Sequence, residues 1–358
     1  MMLGLISAFF GSFLKTLLII RYQHLHEHLS NDHDLSSPQK VHQNAVPRIG
    51  GLSILVGLIC ALLVLLLQKN NFPNFVIIFL LCSIPTFAIG FAEDLTKRVG
   101  VKLRLIFTAF SAALITYVIA FPITHLEIPM VDFLFAIPFF GFIFTVFAIT
   151  GLANAYNIID GFNGLASMVA VITLISITYV CFKVGDYELI PICLIMIGSI
   201  LGFFIWNYPR GLIFLGDGGA YLIGFWIASI SILLVSRHAE ISPWFALMVN
   251  AYPIMETLFT IYRRRIHQNK NPGLPDGIHF HTLIYRRLLK KRSQEEAFLS
   301  NARTAPYLWV LTGLSTIPAL LWWNQTKMLT IASLLFIISY VWIYRRIVQF
   351  KSPSWLQL

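Results

Sequence analysis

The chain has 358 residues, 57% of them hydrophobic and only 12% charged, with 26 Lys and Arg against 16 Asp and Glu. Mean hydropathy is +0.76. Soluble domains carry about 25% charged residues, so the composition excludes a water-soluble globule, and no large polar segment is left over for a separate soluble domain. The expectation is an all-α, polytopic integral membrane protein in which residues 1–358 form one membrane-embedded domain.

Apolar runs close to the ~20 residues that cross a bilayer occur at 2–20, 50–67, 74–92, 103–121, 131–152, 165–182, 189–206, 220–236, 243–261, 305–323 and 328–344, eleven in all. The stretch from Met1 to Ile20 has no cationic n-region, its single charge (Lys15) sits late, and no small-residue cleavage site follows, so it reads as a retained helix. Cys60, Cys82, Cys181 and Cys193 lie in or at the edges of apolar runs without metal-ligand spacing and read as small buried apolar residues. Trp206, Trp244, Trp322 and Trp323 fall near span ends, as an interfacial belt requires. No fixed-period repeat is present.

The connections alternate between two faces. One set carries 21 of the 26 Lys and Arg residues, and the other only Lys69, Lys183, Arg237 and Lys327. The positive-inside rule places the basic set in the cytoplasm, the N-terminus outside and the C-terminus inside.

The unusual polar residues all fall on the basic side. Pro47-Arg48-Ile49-Gly50-Gly51 by itself reads as a turn and a close helix approach. Glu93-Asp94 ends a span and precedes four basic residues; adjacent acids there are either a solvated charge run or a metal- or proton-binding pair at the mouth of a membrane cavity. In Asn154 to Gly164, Asn154, Asn157, Asp160 and Asn163 recur every third residue, which on a helix places amide and carboxylate groups on one face. Trp206 to Arg210 and then Phe214-Leu215-Gly216-Asp217-Gly218-Gly219 set a lone carboxylate among glycines, suited to a hard cation or a close phosphate, or to an ordinary turn. The basic loop 262–304 holds Asp276-Gly277-Ile278-His279-Phe280-His281-Thr282 with Tyr285, Arg286 and Arg287, a pattern for phosphate or nucleotide contacts. His24, His26, His28 and His33 read as a solvated loop without metal spacing.

In order and spacing, these segments resemble the polyprenyl-phosphate N-acetylhexosamine-1-phosphate transferases, glycosyltransferase family 4, over about 40–287. Pro47 to Gly51 is similar to the family's Pro-Arg-x-Gly-Gly, Glu93-Asp94 to its Asp-Asp pair, Asn154 to Gly164 to Asn-x-x-Asn-x-x-Asp-Gly-x-Asp-Gly, Phe214 to Gly219 to Phe-Met-Gly-Asp-x-Gly, and His279-Phe280-His281 to its histidine motif. Glu93 and Asn163 depart from it, each standing where most members have Asp. Glu93 keeps the charge, whereas Asn163 loses one, which puts in doubt an obligatory carboxylate there.

The resemblance implies transfer of a sugar 1-phosphate from a UDP-sugar to polyprenyl (undecaprenyl) phosphate with release of UMP, at the cytoplasmic face of the bacterial inner membrane. It implies Mg²⁺, with Mn²⁺ as the alternative, held by Asp217 first and Asp160 second. Asp94 resembles the acid described as base or nucleophile, with Glu93 and Asp160 as further catalytic carboxylates. Asn154, Asn157, Asn163, Asn207, Phe214, His279, His281 and Arg286 are the implied substrate contacts, Asn207 and Phe214 at the uridine and the histidines and arginine at phosphates. Membrane lipids are partners, nucleic acid is not, and a homodimer is compatible with this reading. The rival within the family is phospho-N-acetylmuramoyl-pentapeptide transferase, which usually carries consecutive histidines. A transporter places ionisable residues mid-membrane; here only Glu256 lies well inside a span, three residues after Pro253, a kink candidate. A non-catalytic member marked by Asn163 is the third reading.

Overall fold

The computed structural model describes residues 1–25, 46–68, 73–269, 276–289 and 294–351. His26, His28, His33, Lys69 and Asn271 lie outside these residues, as does the start of the family resemblance near Lys40.

Among the described residues the architecture is helical, without strands. The apolar runs form α1 (Met2–Arg21), α2 (Gly50–Leu67), α3 (Pro73–Thr96), α4 (Val101–Ile119), α5 (Pro138–Ile159), α6 (Leu165–Val184), α7 (Leu189–Asn207) and α8 (Gly216–Arg237), followed by the paired α9 (Pro243–Val249) and α10 (Ala251–Tyr262). The short α11 (Phe280–Ile284) precedes α12 (Gln294–Leu321) and α13 (Thr326–Val348). Among the described residues ten helices are long and apolar enough to span a membrane, and the α9–α10 pair, bent by 77°, makes an eleventh if taken as one span.

Several spans are displaced from their sequence positions. The fifth begins at Pro138 because 132–136 forms a separate 3-10 turn ahead of it, and it runs on to Ile159. Proline at the first helical position costs no hydrogen bond. The third helix continues through Thr96 and the eighth starts at Gly216. Glu93, Asp94, Asn154, Asn157 and Asp217 therefore sit on helix ends instead of in loops.

α8 is the hub. It packs against α3, α5 and α2, and its residues from Gly216 to Leu234 are all buried. A Cβ on Gly51 would lie 2.3 Å from the Gly219 nitrogen, so small residues allow α2 and α8 to meet backbone to backbone.

Hydrogen bonds sort the connections into two faces. The Trp244 indole donates to the Leu126 carbonyl at 3.1 Å, the Ser242 amide donates to the Trp323 carbonyl at 3.1 Å, and Arg237 reaches Asp186 and Glu188 at 3.4 and 3.2 Å. The broken span runs along α13: Ser242 Oγ lies 2.6 Å from Thr326 at its start, whereas Glu256 meets Tyr340 in its second half. At the break, Asn250 donates to Ser231 at 3.3 Å and to the Ala246 carbonyl at 3.0 Å, and Thr173 donates to the Val249 carbonyl at 3.4 Å. Irregular backbone at membrane depth is tolerated only with such internal partners.

Candidate active site

At the N-terminus of α8 the Asp94 carboxylate, from the last turns of α3, accepts the backbone N–H of Asp217 at 2.7 Å and of Gly218 at 2.9 Å. The first N–H groups of a helix lack intrahelical partners, and an acid from another helix supplies them here. The turn can form because Gly216 has φ +76°, and a Cβ there would lie 2.2 Å from the Arg48 carbonyl oxygen. The Pro47–Gly51 segment is laced to the same turn: Phe214 donates to Pro47 O at 2.9 Å, Gly50 to Phe214 O at 2.9 Å and Gly51 to Leu215 O at 2.8 Å.

That lacing aims Arg48 at the acids. Its Nη2 lies 2.5 Å from Asp217 Oδ1 and its Nε 3.5 Å from Asp94 Oδ1. Arg104, in the first turn of α4, pairs with the other Asp217 oxygen. Asp217, almost wholly buried, thus carries a guanidinium on each oxygen. Arg104 also lies over the Tyr221 ring at 6.0 Å, and the Tyr221 hydroxyl donates to Asn154 Oδ1 at 2.9 Å.

Asn154 and Asn157 share a face of the last turns of α5, as the three-residue spacing requires. The stripe does not continue, because the backbone leaves the helix at Asp160 (ψ 65°). Asp160 is half-buried; burial pushes its carboxyl up to about 7, with Arg48 pulling it down. Asn163 faces elsewhere: its amide group donates to the Pro209 carbonyl at 3.1 Å and its backbone N–H to Asn301 at 3.1 Å. Asn207 accepts from the Gly164 amide at 2.6 Å and donates to Ile213 O at 2.7 Å. Both asparagines staple the 160–164 loop to the 207–213 loop. Phe214 is half-buried, and Glu93 accepts the Val99 N–H at 2.7 Å, closing the turn after α3.

The histidine motif approaches from the far end of the chain. The His279 and His281 rings stack at 5.2 Å, and His281 lies edge-on to Phe162 at 5.5 Å. Its Nε2 abuts Gly161, where a Cβ would come within 2.8 Å. Burial drives the His281 imidazole down to about 3, against the raising pull of Glu256 and Asp276, and its buried Nδ1 has no hydrogen-bond partner. Arg286 is exposed on the π-helical turn 285–289. Arg48, Arg104 and Tyr221 join the site only in the fold: Arg48 reads from sequence as part of a turn, and Arg104 and Tyr221 carry no sequence signal of their own.

Among the described residues no three acids, histidines or cysteines converge as a ready-made metal cage. A cation here would have one or two protein carboxylates and complete its shell with water and phosphate oxygens, which is how Mg²⁺ binds in phosphoryl-transfer sites. Asp217 and Asp160 fit that minimal donor set. The guanidiniums on Asp217 would then move to the incoming phosphates.

The structure is that of an all-helical multi-pass membrane protein with acids, guanidiniums and imidazoles gathered at one end of its bundle. Residues 76–235 of the chain match the family model of glycosyl transferase family 4. It is 28% identical over 256 residues to a probable undecaprenyl-phosphate N-acetylglucosaminyl 1-phosphate transferase of Bacillus subtilis, covering 69% of this chain and 68% of the relative. It is also 28% identical over 257 residues to an undecaprenyl-phosphate alpha-N-acetylglucosaminyl 1-phosphate transferase of Thermotoga maritima, covering 72% and 74%. A phospho-N-acetylmuramoyl-pentapeptide-transferase of Lactobacillus helveticus is 26% identical over 258 residues, covering 68% and 76%.

Proposed function

We propose that this protein transfers N-acetylhexosamine 1-phosphate from a UDP-sugar to undecaprenyl phosphate, releasing UMP, as the initiating step of a cell-envelope glycan at the cytoplasmic face of the bacterial inner membrane. The observation that carries the reading is the convergence of Arg48 and Arg104 on Asp217 at the N-terminus of α8. An oxygen of the lipid phosphate attacks the β-phosphorus of the donor, the bond from that phosphorus to the α–β bridging oxygen breaks, and UMP departs with the electron pair. Both reactants are polyanions, so charge neutralisation and alignment dominate the barrier.

Arg48 and Arg104 bind the diphosphate oxygens, and Asp217 holds both guanidiniums in register until substrate arrives. Asp94 positions the Asp217 turn, and its role as base or nucleophile belongs to the same proposal. Asn154 and Asn157 line the approach beside Tyr221, while His279, His281 and Arg286 meet phosphate from the opposite side. Asp217 and Asp160 would hold a Mg²⁺ ion, which would supply Lewis-acid stabilisation of the charge developing on the departing UMP phosphate.

His279-Phe280-His281-Thr282, without consecutive histidines, favours the N-acetylhexosamine branch over the pentapeptide transferase. The test is purified protein with undecaprenyl phosphate, Mg²⁺ and a panel of UDP-sugars, read as UMP. Release with a UDP-N-acetylhexosamine is the expected result; release only with UDP-N-acetylmuramoyl-pentapeptide, or with none, overturns the proposal.

A further inference from the structure

Glu256 lies in α10, inside the broken span, and is 1% exposed. A carboxylate at membrane depth is costly and persists where it serves a site. Every side of it is occupied. Oε1 lies 3.0 Å from His279 Nδ1 and accepts the Phe280 backbone N–H at 3.1 Å, and Oε2 accepts the Tyr340 hydroxyl at 2.7 Å. The Phe280 amide opens α11, so the carboxylate joins α10, α11 and α13 at one point.

The contacts continue to the candidate active site. The His279 ring stacks on His281 at 5.2 Å with 15° between planes, and His281 closes on Gly161, the neighbour of Asp160. On the other edge of His279, Asp276 lies 3.9 Å from Nε2 and is itself paired with Arg263. Thr260 Oγ1, one turn on from Glu256, is 3.2 Å from His279 Nδ1. The ring is gripped on its Nδ1 side by two residues of α10.

We propose that Glu256 is the positioning residue for the histidine motif: it anchors the His279 ring and the Phe280 amide, and through them holds His281 against Gly161 beside Asp160. A carboxylate that orients a functional imidazole fixes which ring nitrogen faces away from it and prevents the ring from turning. Here the anchor comes from the second helix of the broken span, beyond the bend at Asn250, and Tyr340 of the last span locks its second oxygen. The inference rests on the transferase reading for its kinetic consequences but not for its geometry.

The experiment compares Glu256→Ala and Glu256→Gln by UMP-release kinetics, by amide exchange over 276–289, and in a His279→Ala background. Glu256→Ala is expected to lower kcat by ~10–100-fold, the scale for residues that orient another group, with the KM for the UDP-sugar little changed. It is expected to speed exchange at Phe280 and to add almost nothing to His279→Ala, because coupled residues are non-additive. Glu256→Gln keeps one acceptor oxygen for His279 and Phe280 and is expected to restore most of the turnover; as an isosteric change it also carries the test where the alanine variant does not fold. Equal loss in Gln and Ala, full additivity with His279→Ala, or unchanged exchange would each overturn the inference. Wild-type protein without UMP release would instead overturn the functional reading, leaving amide exchange to judge the anchor alone.

Discussion

Asp94 and Asp217 share one turn of backbone: 123 positions apart in sequence, they meet where the Asp94 carboxylate accepts the Asp217 amide at 2.7 Å. The acid of one span thereby builds the helix end that presents the acid of another, and Arg48 spans both. The two acids have different environments and should respond differently to the same substitution.

Asp94→Asn replaces one acceptor oxygen with an NH₂ that must face either the Asp217 or the Gly218 N–H, donor against donor. An unsatisfied buried donor costs about 1–3 kcal/mol, so thermal stability in detergent should fall. UMP release should drop by ~10²-fold or more if the acid also moves a proton. Accumulation of a phosphorylated wild-type enzyme in a single-turnover experiment would assign Asp94 the nucleophilic role instead.

Asp217→Asn leaves Arg48 and Arg104 without their shared counter-charge and removes a hard oxygen ligand. Turnover should fall by ~10²-fold or more, the scale for removing charge stabilisation at a transferring phosphoryl group, and the Mg²⁺ dependence should move to higher concentration. Near wild-type turnover at limiting Mg²⁺ would remove Asp217 from the essential set.

Asn163 departs from the family motif, and its geometry reverses the simplest expectation. Restoring the family residue as Asn163→Asp deletes the donor to the Pro209 carbonyl and sets a carboxylate against that oxygen. The expected outcome is a loss of stability and activity in Asn163→Asp at least as large as in Asn163→Ala, measured by thermal unfolding and UMP release. A gain of activity in Asn163→Asp would show that the position needs charge more than it needs the staple.

The sequence made the acids legible because Glu93-Asp94, Asn154 to Asp160 and Asp217 interrupt apolar runs beside glycines, a pattern membrane spans rarely carry without purpose. It did not make Arg104, Tyr221 or the Glu256 anchor legible as site residues, since each acquires meaning only from a partner on a distant helix. The register of the fifth span was misplaced for a related reason. Residues 131–137, apolar except for Asp132, lead into Pro138 without joining its helix, and 132–136 form a 3-10 turn. Asn163 followed the spacing rule on paper, and the chain left the helix before reaching it.

Burial holds the His281 imidazole at about 3, far below the usual histidine range. The folded state then binds fewer protons than the unfolded one below pH ~6.5, so the sign of linkage is loss of stability as pH falls from ~6.5 toward 3. Unfolding temperature in detergent should decline on acidification from pH 7 to 5, and less steeply in His281→Phe. Parallel declines in the two proteins would place the acid sensitivity elsewhere.

The proposed cytoplasmic placement of the site follows from the distribution of Lys and Arg. In a cysteine-free background, a cysteine at Arg98 should resist impermeant thiol reagents in intact cells, whereas one at Gln325, in the turn between α12 and α13, should label. Labelling at Arg98 alone would invert the whole arrangement.

The enclosure of α8 bears on how the enzyme meets different bilayers. Hydrophobic mismatch tilts or stretches helices that touch acyl chains. α8, buried along its length from Gly216 to Leu234, receives such forces only through the helices around it. The turn carrying Asp217 is therefore mechanically insulated, and membrane thickness would act first on the lipid-facing helices around it.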